Sequence, residues 1–333
     1  MKKTLLIGGG GYVGTTLSDY LLRNHHKVIS IDRFIYDNED AISPFINNKN
    51  YSSIIGDFSN YKLLDSVIND VENVVLLGGL VGDPITKKYP KTSYQINELA
   101  IKKCIDYFDD KKISKLIFIS TCSNYGLISE NVFANEEYEL SPLSLYAKAK
   151  VNIENYLHSK KSFVGYSGVI LRFATAFGIS NRMRFDLTIS QFTRELFVNK
   201  ELVIFDENTW RPYCHVNDFA RLIEIVLESK KELIDFEVFN AGGTENNYTK
   251  KMIVKALLDK IPNCMIHYNQ NDSDPRNYRV DFSKVKKQLN FTPKYDLNFG
   301  INELLTAFEK GKYIGKNDGT IQYGNYDLNY SID

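Results

Sequence analysis

Tyr146 and Lys150 stand four residues apart in the segment S-L-Y-A-K-A-K. On a helix, that spacing puts both side chains on one face. A free phenol titrates near ~10. A neighbouring ammonium favours the phenolate, and such a tyrosine can exchange a proton with a substrate hydroxyl near neutral pH. Upstream, T-C-S-N-Y-G follows the apolar run 116–120 and offers two hydroxyls, Thr121 and Ser123. An isolated Y-x-x-x-K is more often part of an ordinary surface helix. The order of segments before it sets this one apart.

Residues 5–7 form a short apolar run that enters Gly8-Gly9-Gly10-Gly11, and an amphipathic segment, 12–22, leaves it. That is strand, tight turn, helix. Gly9, Gly11 and Gly14 spell G-x-G-x-x-G, and Gly8, Gly11 and Gly14 spell G-x-x-G-x-x-G. Either pattern lets backbone approach a pyrophosphate, with helix N–H groups and the positive dipole end facing the phosphates. The next apolar run, 27–31, ends at Asp32. An acid roughly 20 residues past the glycines suits hydrogen bonds to an adenosine ribose. The expected ligand is a dinucleotide. Asp32 repels a 2′-phosphate, so NAD(H) is expected over NADP(H), with Arg33 partly offsetting that repulsion. An oxidised nicotinamide near Tyr146 would further favour its phenolate.

The 333 residues carry 41 Lys+Arg and 41 Asp+Glu, so the net charge is zero. A neutral chain with no basic stripe argues against nucleic acid and against an anionic membrane surface. No apolar run approaches the length of a membrane-spanning helix. The opening M-K-K-T-L-L-I-G-G breaks into glycine after three apolar residues and is read as a strand rather than a leader. Four scattered cysteines form no C-x-x-C, which suits reduced thiols and a cytoplasmic location. Cys122 and Cys214 are read as small buried fillers. Five histidines lack ligand spacing, and no metal is expected.

Those side chains need a scaffold, and the pattern supplies one. Strands are expected at 4–7, 28–31, 53–55, 74–77, 116–120 and 167–171, with helices between them at 61–69, 92–108 and 145–159. The alternation predicts an α/β fold, a Rossmann-type doubly wound parallel sheet with helices on both faces. Ligands then sit beyond the carboxyl ends of the strands. After Arg172 the pattern turns irregular. Helices are expected at 187–198, 216–228, 248–259, 281–289 and 298–308, with a returning strand at 236–240. This divides the chain into a cofactor domain, 1–172, with a return segment about 215–245. A smaller α/β substrate-binding portion covers 173–214 and 246–310. The tail 311–333 is aperiodic, an extended arm or a partly mobile one.

The chain resembles the extended short-chain dehydrogenase/reductase superfamily in its sugar-nucleotide epimerase/dehydratase branch, over nearly its whole length. The resemblance implies that Gly8, Gly11 and Gly14 bind the pyrophosphate, Asp32 the ribose and Asp57 the adenine edge. It implies further cofactor contacts from Tyr12, Val13, Arg33, Phe58 and Phe173, and from Leu77, Gly78 and Gly79 across the cofactor's middle. Asn97 would brace the active-site helix. Thr121, Tyr146 and Lys150 would be catalytic, with hydride passing between a sugar carbon, usually C4, and the nicotinamide. Lys150 would hold the nicotinamide ribose and lower the Tyr146 pKa.

R-F-A-T-A-F-G (172–178), N-R-M-R-F-D-L (181–187), W-R-P-Y-C-H-V (210–216) and D-P-R-N-Y-R-V-D (274–281) are similar to substrate-side motifs of this branch. They look most like the subgroup containing GDP-manno-heptose 4-dehydrogenase. That likeness implies a nucleotide-diphosphate sugar, GDP-linked by preference, in surface polysaccharide sugar biosynthesis. Val81, Ser123, Asn124 and Thr175 would touch it. Arg182, Arg184, Arg211 and Arg276 are candidates for its diphosphate, because guanidinium forks suit phosphate oxygens. At least one of the four is expected only to bridge within the chain. His215 is either a core histidine or a site residue.

Dehydratases of this branch carry a glutamate where this chain has Ser123, often after an aspartate where it has Cys122. The nearest acids are Glu130 and Glu136. Chemistry is therefore expected to stop at C4. Segments 92–108 and 145–158 match the helices through which relatives dimerise. Ile96, Leu99, Ile101, Ile105, Ile153 and Leu157 are read as supplying more apolar surface than one face against the sheet needs, so a homodimer is expected.

Overall fold

Seven apolar runs pair side by side. They are β1 (Lys3–Ile7), β2 (Lys27–Asp32), β3 (Tyr51–Ile55), β4 (Asn73–Leu76), β5 (Lys115–Thr121), β6 (Ser167–Phe173) and β7 (Val238–Ala241). The computed structural model describes residues 2–129, 131–270, 276–313 and 323–328. Glu130, Asp274, Pro275 and tail residues 314–322 and 329–333 therefore lie outside the described residues. The strands form one sheet in the order β7-β6-β5-β4-β1-β2-β3, and every pairing is parallel. The order reverses between β1 and β4, the crevice where such sheets take ligands.

Alternate residues of each strand face opposite sides, so each strand feeds two cores. Leu6, Val75, Ile117 and Val169 pack on one face with helices Tyr12–Arg23 and Val216–Glu228. Leu5, Ile7, Val74, Leu116, Phe118 and Ile170 pack on the other, with helices Ile101–Phe108 and Leu145–Ser159. A third core lies beyond the strand ends. There Phe177, Phe185, Ile189, Leu257, Ile301 and Leu304 join helices Thr188–Asn199, Lys250–Leu258 and Leu297–Glu309.

The expected single helix 92–108 is instead three pieces: Pro90–Tyr94, a π-helical turn Gln95–Ala100, and Ile101–Phe108. The first residues of the expected helix 248–259 are the end of a strand, Asn247–Thr249, paired antiparallel with Trp210–His215. Ile101, Ile105, Ile153 and Leu157 are buried within the chain, between these helices and the sheet. They are not surplus surface. Of the six named for a dimer face, Leu99 is the one left exposed.

Candidate active site

Gly8 has φ +86°, and a Cβ there would sit 2.5 Å from the Gly78 Cα. A Cβ on Gly14 would lie 2.6 Å from the Gly8 carbonyl oxygen. Side chains at either position would fill the turn between β1 and helix Tyr12–Arg23. Gly78 follows β4, and its lack of a side chain lets the two strand ends approach. The Asp32 carboxylate accepts from the Gly10 and Phe34 amides at 2.9 and 2.8 Å. It ties the turn to the end of β2 while lining the same cleft. Arg33 is drawn to Asp57 at 3.1 Å.

That cleft has a volume of about 660 Å³ and runs from the glycine turn to Tyr146 and Lys150. Among its walls are Gly11, Tyr12, Val13, Phe58, Leu77, Gly79, Val81, Thr121, Ser123, Phe173 and Thr175. Arg182, Arg184, Arg211 and Arg276 line it too. Helix Leu145–Ser159 starts where the Ser144 side chain accepts from the Ala147 amide at 3.2 Å, a local cap that sets its register. One turn later Lys150, 3% exposed, donates to the Ile119 carbonyl at 2.7 Å. Burial lowers the Lys150 pKa to about 8. Burial also raises the Tyr146 phenol well above its ordinary value, with Arg184 the chief opposing charge. In the ligand-free chain, then, desolvation outweighs Arg184, and Tyr146 is held protonated.

Thr121 accepts from the Ser123 amide at 3.1 Å, and the Ser123 hydroxyl meets that of Tyr278 at 3.1 Å. Asn124 does not face the cleft. It is fully buried and donates to Glu154 at 2.8 Å. The reason is an ion pair under the site: Arg172 grips Glu154 with Nη2 to Oε2 at 2.7 Å. Ser120 also bonds Glu154, and Tyr125 links Arg172 (3.0 Å) to Asn240 (2.7 Å). This network joins β5, β6, β7 and the helix of Tyr146. Asn97 lies on the π-helical turn that packs against that helix. It exchanges hydrogen bonds with the Leu80 amide and carbonyl at 2.7 and 2.9 Å, holding the loop after β4. Glu136 accepts from the Asn240 amide at 2.8 Å and does not line the cleft. His215 is a core histidine, wholly buried and bound to Glu303 at 2.7 Å. Burial raises the thiols of Cys122 and Cys214.

The arginines differ. Arg184 holds Asp186 bidentately at 3.1 and 2.5 Å. Arg276 pairs with Asp83. Arg211 donates to the Trp210 carbonyl at 2.7 Å and lies over the Tyr278 ring. Arg182 lies 4.8 Å from the Tyr36 ring and feels Asp32, which places it at the glycine-turn end. Its Nη2 donates to the Gly324 carbonyl at 3.0 Å, and burial lowers its pKa to about 10.

Sequence reasoning missed Tyr36, Asp83, Asn325 and Tyr326, all cleft residues. Asp83 had a signal, its place in L-V-G-D-P just past a strand end. The tail residues had none. Segment 323–328 docks across the cleft mouth: Asn325 donates to the Val81 carbonyl at 2.8 Å, and Tyr323 accepts from the Phe185 amide at 2.7 Å. Asp327 accepts from Tyr89 at 2.9 Å and pairs with Lys88. Among the described residues, no helix is long and apolar enough to cross a membrane.

A family model described as the NAD dependent epimerase/dehydratase family matches residues 4–242. A Bacillus subtilis protein named as an uncharacterized UDP-glucose epimerase is 29% identical over 332 residues, covering 94% of this chain and 100% of that one. The solved UDP-glucuronic acid 4-epimerase of Bacillus cereus, in complex with UDP-glucuronic acid and NAD, superposes with a TM-score of 0.81 at 27% identity. It covers 92% of this chain and 99% of its own. Pal from Bacillus thuringiensis has a TM-score of 0.83 at 19% identity, over 93% of this chain and 100% of that one, a likeness of fold.

Proposed function

The chain belongs to the NAD dependent epimerase/dehydratase family, and from that premise we propose that it acts at C4 of a nucleotide-activated sugar, as a 4-epimerase, 4-dehydrogenase or 4-ketoreductase. The observation that carries this reading is one continuous cleft with the glycine turn at one end and Tyr146, Lys150 and Thr121 at the other. A cradle that a Cβ at Gly8 or Gly14 would fill suits a pyrophosphate. Gly8, Gly11, Gly14 and Asp32 would hold NAD, with Asp57 toward its adenine and Arg182 on the same side. When bound, NAD supplies the hydride acceptor and donor. The chain's own residues handle the proton. Tyr146 Oη takes it from the C4 hydroxyl as the sugar becomes a ketone and returns it on reduction, while Thr121 hydrogen-bonds that oxygen. The positive charge of the oxidised cofactor opposes the burial that keeps Tyr146 protonated. Lys150 Nζ holds the nicotinamide ribose.

In this reading residues 1–172, with the return segment 215–245, carry the cofactor, and 173–214 with 246–310 carry the nucleotide sugar. Arg211 serves its diphosphate, while Arg184 and Arg276 are held within the chain by Asp186 and Asp83. The names of the relatives favour uridine over the guanosine expected from the motifs. A 4,6-dehydratase needs a second acid and base for C5 and C6. Here Ser123 and Cys122 stand at those positions, and two carboxylates that line the cleft, Asp83 and Asp186, are each bound to an arginine. We assign the enzyme as a homodimer on the face carrying Tyr94 and Leu99, checked by sedimentation at micromolar concentration.

The deciding experiment is mass spectrometry of products from UDP-, GDP-, CDP- and dTDP-linked hexoses and heptoses. Unchanged mass with an inverted C4 proton coupling, or loss or gain of two hydrogens, supports the reading and names the member. Loss of one water overturns it. Tyr146→Phe should lower turnover by about 10²–10⁴-fold while NAD affinity is kept.

A further inference from the structure

Asp83 has two differently placed carboxylate oxygens. Oδ2 pairs with Arg276. Oδ1 is buried, and no donor among the described residues reaches it. A buried acceptor without a donor is costly, and native sites normally satisfy it with a ligand or water. The position of Asp83 indicates what the donor is. Asp83 opens the short helix Asp83–Lys88, which packs against the helix carrying Tyr146. Both residues line the same cleft, and the Asp83 charge bears on the Tyr146 phenol. A group that donates to Oδ1 therefore lies beside the carbon that Tyr146 serves. On a sugar that group is a hydroxyl.

A carboxylate in that place donates nothing and brings a second negative charge. The cations near it are committed: Arg184 to Asp186, Arg276 to Asp83, and Lys150 to the Ile119 carbonyl. Arg211 lies over the Tyr278 ring and is assigned to the diphosphate. We infer that Asp83 selects the sugar: its Oδ1 accepts a hydrogen bond from the C6 hydroxyl, carried on the C5 side of the reacting C4, so the site takes neutral sugars and rejects uronic acids, whose C6 is a carboxylate. This rests on the nucleotide-sugar reading and narrows it to a substrate class.

The test is calorimetric binding to NAD-loaded protein of two matched pairs, UDP-glucose with UDP-glucuronic acid and GDP-mannose with GDP-mannuronic acid. The wild type should bind the neutral member of a pair about 10- to 100-fold more tightly, the range that an unmatched buried polar group implies. Asp83→Asn keeps the shape and removes the charge, and should shrink that ratio about tenfold. Arg276→Gln leaves Asp83 unmatched and should widen it, even as both affinities fall. A merely structural ion pair would move the ratio in the same direction in both variants, and that result overturns the inference. So does equal binding of the uronic acid by the wild type, or a ratio that neither variant changes. If no member of either pair binds, the nucleotide-sugar reading itself fails and takes this inference with it.

Discussion

Glu154 and Asp83 are both carboxylates held by an arginine, one beneath Tyr146 and the other across the cleft from the sheet. Glu154 is sealed: Arg172, Ser120 and Asn124 all bond it, and its side chain is 3% exposed. Asp83 is 23% exposed and leaves one oxygen without a donor among the described residues. The floor satisfies its charges inside the protein and so fixes geometry. The rim leaves bonds to be made by a ligand. Arg182 belongs to the rim in the same sense, since it donates to the backbone carbonyls of Met183 and Gly324. Loss of a floor residue should therefore cost stability, and loss of a rim residue should cost affinity.

The largest effect is expected from Glu154→Ala. It strands Arg172 in the core and should cost about 3–5 kcal/mol in urea unfolding. Replacing both partners, Glu154→Leu with Arg172→Met, should recover most of that. A single-variant loss under about 1 kcal/mol would erase the contrast.

Lys150 sharpens the comparison through pH. Its folded pKa of about 8 lies below the ordinary lysine value of 10.5, so the unfolded chain binds more protons between these values. Its burial penalty is full below pH 8, shrinks as pH rises, and is gone above about 10.5. Lys150→Met should therefore stabilise the ligand-free chain by roughly 3 kcal/mol at pH 7. The advantage should close by pH 10.5 in unfolding curves. A difference that is flat with pH would place Lys150 outside the floor.

Asp32 stands at the border, since it caps the glycine turn and faces the cofactor. Asp32→Ala should weaken NAD about 10- to 150-fold, the range for hydrogen bonds to a charged group. It should also reduce discrimination against NADP, read by fluorescence titration. The smallest effect is expected for Asn325→Ala. Its single bond to Val81 is worth about 1 kcal/mol. KM should rise severalfold while the urea midpoint stays put. A shifted midpoint would make the tail part of the floor.

What was legible in the sequence follows from locality. Strands read from short apolar runs lie within a few residues of those observed, because burial on both faces demands such runs. The Tyr146–Lys150 pair was legible because helix periodicity fixes its face. Asn124 was misread because its direction is set by Arg172 and Glu154, which meet only in three dimensions. Asp83 and Asn325 were missed for a related reason. Each reaches the cleft through contacts with segments remote in sequence, Arg276 in one case and Val81 in the other.

The docked tail has a consequence for how the protein is made. Synthesis runs from the amino terminus, so the glycine turn, Thr121, Tyr146 and Lys150 all leave the ribosome well before Asn325. The sheet can assemble around its floor while the mouth of the cleft still lacks a wall. A chain cut short after residue 313 keeps every strand of the large sheet and the proton-transfer pair, yet loses Asn325, Tyr326 and the Asp327 tether to Lys88 and Tyr89. Damage at that end would pass a test for folding and show itself only when the enzyme is asked to hold its substrate.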